Sequence, residues 1–72
     1  MFINAKQQVV LNSLTFDIRD VVKYGNDGRA FAGKVRSAIH QMVTWAGMDR
    51  DSAEHLVKDF ANFTRKNAAI AN

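Results

Sequence analysis

Two glycine-containing breaks, in a chain of 72 residues without proline, divide this sequence into three segments. The first break is GNDG at residues 25–28, where glycine and asparagine tolerate positive φ and Asp27 can cap a following helix. The second is AGMD at residues 46–49, where Gly47 can adopt the left-handed conformation that ends a helix. Because each segment between breaks is long enough for one helix, the breaks predict helical hairpins.

Apolar side chains repeat with helical spacing in all three segments. Asn4 and Gln7 have the spacing of a capping box, so the first helix is predicted at about residues 5–24, followed by helices at about 29–46 and 50–68. The positions predicted to be buried are Val10, Leu14, Ile18, Val21, Val22, Phe31, Val35, Ala38, Ile39, Met42, Val43, Trp45, Ala46, Ala53, Leu56, Val57, Phe60, Phe63 and Thr64. We therefore expect an all-α fold, a small three-helix bundle that forms a single domain over residues 1–72.

An alternative fold remains open for the first segment. Leu14, Phe16 and Ile18 alternate with polar residues, which is also the period of a half-exposed strand. The alternative is an α+β fold with an N-terminal strand or hairpin followed by two helices.

Several local features of the second and third helices carry expectations of their own. Gly33 costs about 1 kcal/mol relative to alanine inside a helix, which indicates close approach of another backbone. Asp49 or Asp51 can cap the third helix, and Asp51 with Glu54 has capping-box spacing. Glu54 and Lys58 are spaced as an i,i+4 ion pair.

The composition limits where and how such a chain is stabilised. There is no cysteine, so disulfides and thiolate–zinc sites are excluded and a reducing compartment is favoured. A domain this small gains little from its own core, which makes a homodimer or a bound partner a reasonable source of stability. No apolar run reaches the roughly 20 residues that span a bilayer, and the N-terminus lacks the pattern of a signal peptide. We expect a cytoplasmic protein with no membrane contact.

The residues that carry catalysis in other proteins do not form a pattern here. The candidate nucleophiles are serines and threonines, and no histidine lies at a telling spacing from them. His40 and His55 lack the spacing of a zinc-binding helix and are predicted to be ordinary surface residues. Asp49 and Asp51 fit a helix start better than an acid–base pair. The sequence therefore predicts a protein that is not an enzyme, with no catalytic, cofactor-binding or metal-binding residue.

Charge is unevenly distributed along the chain. The formal net charge is +3, from ten Lys and Arg against seven Asp and Glu. The basic residues around the first break are Lys23, Arg29, Lys34 and Arg36, and the acidic residues around the second are Asp49, Asp51, Glu54 and Asp59. This pattern is typical of solvated helix faces, and it also fits a docking surface with two oppositely charged ends.

The chain has more large apolar residues than one small core requires. Phe16 falls off the apolar stripe of the first helix, Phe2 precedes that helix and Tyr24 ends it. Exposed apolar side chains on a small protein usually mark an interface. The residues predicted to bind a protein partner are Phe2, Phe16, Tyr24, Asp49, Arg50, Asp51 and Glu54.

The second break resembles the helix-turn-helix of bacterial regulators. It has a glycine in the turn, an apolar residue and a capping residue after it, and then Ala53 and Leu56 at the buried offsets of that motif. The resemblance implies that the helix after the turn enters the major groove of DNA. Arg50, Ser52 and His55 would then contact DNA.

The same stretch, TWAGMDRDSAEHLV at residues 44–57, also resembles a segment of small anti-CRISPR proteins of the type I class, which phages and mobile elements encode. This resemblance implies an inhibitor that binds a protein subunit of a bacterial defence complex and has no catalytic residues. The leading prediction is a non-enzymatic protein-binding inhibitor or regulator of this kind, which forms a homodimer. The alternative is a helix-turn-helix transcriptional regulator that binds DNA.

Overall fold

A computed structural model describes residues 3–25 and 28–71, with side chains as far as Ala68, and shows three α-helices. Helix α1 spans Ala5–Lys23, α2 spans Gly28–Thr44 and α3 spans Arg50–Ala71. Each helix packs against both of the others in a bundle of 33 × 21 × 16 Å. The predicted all-α three-helix fold is confirmed. The described residues contain no strand, so the α+β alternative is not supported.

Helix α1 begins at the capping box expected from the sequence. The Gln7 backbone N–H donates to Asn4 Oδ1 at 2.8 Å, and the Asn4 N–H donates to Gln7 Oε1 at 3.1 Å. Leu14 and Ile18 are buried one turn apart on the same face, whereas Phe16 between them is 67% exposed. The alternation that suggested a strand therefore arises because Phe16 lies on the opposite face of a helix.

At the first break, Gly25 has a left-handed backbone conformation, at φ +67°. The Gly25 N–H donates to the Val22 carbonyl at 3.2 Å and closes the end of α1. Helix α2 then starts at Gly28, one residue earlier than expected. The predicted cap at Asp27 lies outside the described residues.

At the second break, Gly47 has the left-handed conformation, at φ +75°, after the end of α2. The Met48 N–H donates to the Met42 carbonyl at 2.9 Å, and Met48 is buried against the last turn of α2. Helix α2 ends at Thr44, two residues before the predicted end. The chain has therefore already left the helix when it reaches Trp45.

Helix α3 is capped by Asp49, whose Oδ2 accepts the Ser52 N–H at 3.0 Å. Of the two candidate caps, the structure selects Asp49. The predicted capping box of Asp51 with Glu54 is wrong, because Asp51 already lies in the first turn of α3. Within the described part of the chain, Glu54 and Lys58 form no ion pair, while Lys34 of α2 pairs with Asp17 of α1 at 3.9 Å.

The core lies between the three helices and consists almost entirely of aliphatic residues. The buried apolar residues are Val10, Leu11, Leu14, Ile18, Val21, Val35, Ala38, Ile39, Met42, Ala46, Met48, Ala53, Val57 and Ala61. Val22, Phe31, Val43, Leu56 and Phe60 pack against this core while partly exposed. In the described chain, no helix combines the length and apolar character needed to cross a membrane.

Three expectations about packing are wrong. Trp45 is 48% exposed because α2 ends before it, so it does not continue the buried stripe. Phe63 is 68% exposed because the stripe of α3 is centred on Ala53, Val57 and Ala61, which leaves Phe63 on its flank. A Cβ atom added to Gly33 would meet nothing within 4 Å, so no other backbone approaches this glycine.

Candidate partner-binding surface

A groove of about 570 Å³ lies between the later halves of α1 and α3. One wall belongs to α1 and carries the charged residues Arg19, Asp20 and Lys23. The residues that α3 contributes to the lining are uncharged, and Phe60 and Phe63 are the largest of them. The complete lining is Thr15, Arg19, Asp20, Lys23, Phe60, Phe63, Thr64, Asn67 and Ala68.

The groove exists because small or polar residues occupy the α1–α3 contact in this half of the bundle. Thr15 and Thr64 are half-buried, whereas Arg19 and Phe63 are exposed, so the threonines lie deeper. The Thr15 hydroxyl donates to the Leu11 carbonyl of its own helix at 3.0 Å and does not reach across the gap. Because the short side chains of Thr15 and Thr64 occupy these positions, the two helices leave space between them.

One exposed phenylalanine lines this space, and a second lies on the same side of α1 as the groove residues of that helix. Phe63 lines the groove and is 68% exposed, while the neighbouring Phe60 is half-buried. Phe16 is on α1, three residues before Arg19 and four before Asp20, which places it on the same side of the helix as these groove residues. We define the α1–α3 surface as Phe16, Arg19, Lys23, Phe60 and Phe63.

Positive charge is concentrated at the end of the bundle where this groove opens. Lys23 ends α1, and its Nζ lies 5.4 Å from the centre of the Tyr24 ring, which is 70% exposed. The Arg65 guanidinium lies 4.2 Å from the centre of the Phe31 ring, near the start of α2. The end of α3 therefore adds Arg65 and Lys66 to the basic residues around the first turn.

The predicted partner-binding residues of the second break lie at the other end of the bundle. Asp49, Arg50 and Asp51 are exposed, and Glu54 is half-buried. Asp51 and Phe63 are twelve residues apart on one helix, a separation of about 18 Å. The predicted set thus forms two separate groups, with Phe16 and Tyr24 away from the acidic corner. Phe2 lies outside the described residues.

Asp49 has a structural role within this corner. The backbone N–H of Ser52, together with the Ser52 side chain, holds the pKa of the Asp49 carboxyl below its usual value. Both hydrogen bonds favour the ionised carboxylate. Capping of α3 therefore accounts for this residue without a ligand.

The residues of the DNA-binding alternative lie at this corner too. Arg50 is exposed, Ser52 is half-buried with its N–H bonded to Asp49, and His55 is exposed with its Nδ1 2.8 Å from the Asp51 carbonyl oxygen. Carboxylates flank all three residues. The element that would approach DNA phosphates therefore carries negative charge beside Arg50.

The two histidines lie on different helices. His40 is exposed on α2 and His55 is exposed on α3. In residues 3–25 and 28–68, no group of three His, Asp or Glu side chains is placed to hold a metal ion.

Sequence reasoning missed the groove itself. Phe60, Phe63 and Asn67 lie on one side of α3, at spacings of three and seven, and Arg19 and Lys23 lie one turn apart on α1. These spacings show that each row occupies one side of its helix. They do not show that the two rows face a common space, because that depends on how the helices are rotated in the bundle.

Comparison with known proteins adds no relative. No protein-family model matches this chain, and no curated protein or solved structure matches it significantly. Function is therefore argued from the geometry of the α1–α3 surface.

Proposed function

We propose that this protein is a non-enzymatic protein-binding module, an inhibitor or regulator that contacts its partner through the α1–α3 surface. The observation that carries the proposal is the exposure of two phenylalanines, each about two-thirds accessible to solvent. Phe63 lines the groove, and Phe16 lies on the side of α1 that carries the groove residues Arg19 and Asp20. Large aromatic side chains next to a pocket are the usual anchors of protein interfaces.

The energetics of burial support the same surface. Covering a phenylalanine side chain is worth about 1.5–3 kcal/mol when it is fully buried. Phe63 and half-buried Phe60 give an apolar centre on the α3 wall of the groove, and the other lining residues are mostly polar. Phe16 adds exposed apolar area on α1. This is the usual anatomy of a specific interface, with an apolar core and a polar rim.

The resemblance of residues 44–57 to anti-CRISPR proteins supports a finer proposal. The partner would be a protein subunit of a bacterial defence complex, and the chain would act for a phage or mobile element inside the cytoplasm. In this proposal the exposed residues Arg50 and Asp51 contribute a second, polar contact at the acidic corner, together with Glu54 and Asp49. A homodimer remains a prediction from the size of the chain.

The test starts from a partner identified by cross-linking in a bacterial lysate and then purified. Phe16→Ser and Phe63→Ser should each weaken its binding by about tenfold or more, equal to about 1.4 kcal/mol. Their melting temperatures should stay close to that of the unmodified chain, since both side chains are exposed. His40→Ser, which removes an exposed ring from α2, is the control and should bind normally. Full affinity of both phenylalanine variants would contradict the proposal.

The DNA-binding alternative has its own measurement. If the chain is a regulator, it binds mixed-sequence duplex DNA with an affinity that falls steeply with salt. Arg50→Ala should then reduce the salt slope by about one. Absence of duplex binding at low salt removes this alternative and leaves the protein-binding proposal in place.

A further inference from the structure

We propose that the α1–α3 groove binds a short amphipathic helix of the partner protein, with carboxylates along one edge of that helix. The inference rests on the proposed function and deepens it, because it names the chemistry of the segment that the groove recognises. It is argued from the length, the volume and the charge of the groove.

The length of the groove matches two turns of a helix. The lining extends from Thr15 to Lys23 on α1 and from Phe60 to Ala68 on α3. Each stretch is eight residue steps, or about 12 Å at about 1.5 Å per residue. Because two short connections reverse the chain between α1 and α3, these helices run in the same direction and form walls of equal length. A helix of about two turns fits this space and inserts apolar side chains at positions i, i+3 or i+4, and i+7.

The groove has room for side chains of a docked segment. Its volume of about 570 Å³ is that of several amino-acid side chains. Phe60 and Phe63 supply an apolar wall, and the half-buried threonines lie deeper between the helices. Side chains of the docked helix would therefore contact phenylalanine rings on one side only.

The charge of the α1 wall favours acidic residues on the edge of the docked helix that faces α1. Arg19 and Lys23 are exposed, one turn apart on the α1 wall, and neither forms an ion pair within the described part of the chain. Asp20 is the single acid on this wall, which leaves a net charge of +1, and the α3 wall carries none. Carboxylates at i and i+4 of a docked helix have the same spacing as Arg19 and Lys23. The groove therefore complements a helix that is apolar towards α3 and acidic towards α1.

The experiment uses three synthetic helical peptides with the same leucine stripe and with Glu, Gln or Lys at the flanking positions. Binding to the intact chain is measured by fluorescence anisotropy, and the contact surface is mapped by amide chemical shifts. The Glu peptide should bind about tenfold more tightly than the Lys peptide, with the Gln peptide between them. The shifts should concentrate on residues 15–23 and 60–68. Phe63→Ser should weaken all three peptides.

Charge reversal tests whether Arg19 and Lys23 cause the preference for the Glu peptide. Arg19→Glu with Lys23→Glu should reverse the order, so that the Lys peptide binds best. The control is Arg36→Glu with Lys58→Glu, which reverses two exposed cations outside the groove. Each pair of substitutions removes four units of charge and changes the formal net charge from +3 to −1. If the groove cations and not the net charge set the preference, the control should keep the original order of peptide affinities.

Several results would overturn the inference. One is that the Glu peptide does not bind at about 1 mM. Another is that the order of peptide affinities stays the same when Arg19 and Lys23 are reversed. A third is that the order also reverses in the Arg36 and Lys58 control. If single-stranded DNA displaces the Glu peptide from residues 15–23, nucleic acid and not an acidic helix is the ligand of the groove. Concentration-dependent shifts of the same residues without peptide would show that a second copy occupies the groove. A purified partner that needs Phe16 and Phe63 but tolerates the Arg19 and Lys23 reversal would refute the acidic helix and keep the proposed function.

Discussion

Gly33 and Gly47 differ in backbone conformation although neither has an atom near the position of a Cβ. Gly33 lies inside α2 with ordinary helical geometry, and Gly47 ends the turn after α2 at φ +75°. The same substitution at these two sites therefore measures backbone effects with little contribution from packing.

Alanine should have opposite effects at the two glycines. Gly47→Ala should lower the free energy of unfolding by about 1–2 kcal/mol, because a Cβ atom is strained in the left-handed region. Gly33→Ala should raise it by up to about 1 kcal/mol, because alanine restricts the unfolded chain and favours helix. Urea unfolding of both variants checks the pair. A loss of stability in Gly33→Ala would mean that α2 is packed more tightly at this position than the structure shows.

Asp49 predicts a pH dependence at the residue scale. Its pKa is lower in the folded chain than the ordinary aspartate value of roughly 3.9, chiefly because the Ser52 N–H donates to it. A depressed pKa contributes stability that is present above the unfolded value and is lost as pH falls through the folded value. The melting temperature should therefore fall less between neutral and strongly acidic pH in Asp49→Asn than in the unmodified chain, since asparagine caps without titrating.

The control for this experiment is Asp59→Asn, which removes one carboxylate from the middle of the same helix. It should retain the acid sensitivity that comes from the cap. If Asp49→Asn and the unmodified chain lose stability in parallel, the cap does not contribute to the pH dependence.

At the scale of the element, α1 has one face committed to the core and another to solvent. Ile18 is fully buried, while Phe16, two residues away, is 67% exposed. Ile18→Ala should cost about 2–5 kcal/mol, the range for deletion of a large buried aliphatic side chain. Phe16→Ala should change stability by no more than about 0.5 kcal/mol. Denaturant unfolding of the two variants measures the difference, and comparable losses would show that Phe16 is buried in solution.

Helix α3 shows how one element positions both the core and the candidate site. Ala53, Val57 and Ala61 are fully buried and small, so α3 lies close to its neighbours along this stripe. The larger residues Phe60 and Phe63 then fall to the side that faces the groove. Phe63 is therefore exposed because Ala53 and Ala61, on the adjacent face of α3, are the residues that pack into the core.

At the scale of the whole molecule, the three helices share one core and should unfold together. Each helix packs against the other two, and the buried apolar residues of the described chain, except Val21, form one cluster. Trp45 reports on this assembly because the Lys6 ammonium of α1 lies 5.4 Å from its ring. The unfolding curves from helical circular dichroism and from Trp45 fluorescence should therefore coincide. An earlier midpoint for Trp45 fluorescence would show that the contact between Lys6 and Trp45 is lost before the helices unfold.

The whole molecule also decides how charge is presented. The second reversal of the chain returns α3 to the end of the bundle that holds Lys23, so Arg65 and Lys66 join it there. The acidic corner remains at the other end. A partner that contacts the α1–α3 surface therefore meets a predominantly basic end, which favours acidic over basic partners.

The sequence alone determined the three helices and the start of α1, because these depend on local chemistry. It placed the end of α2 two residues too late and left the cap of α3 open between Asp49 and Asp51. The Asn4–Gln7 box, the left-handed Gly47 and the stripe through Leu14 and Ile18 each act over one or two turns. It also placed Phe16 outside the core, because a side chain on the face opposite the buried stripe points to solvent.

The tertiary structure alone decided which flank of each helix is covered. Phe63 has spacing compatible with the core, and only the rotation of α3 against α1 exposes it beside Arg19. The groove arises in the same way, since it is the space that Thr15 and Thr64 leave unfilled between two helices. A local pattern defines the faces of one helix, whereas a groove requires the relative orientation of two helices, which packing of the whole core sets.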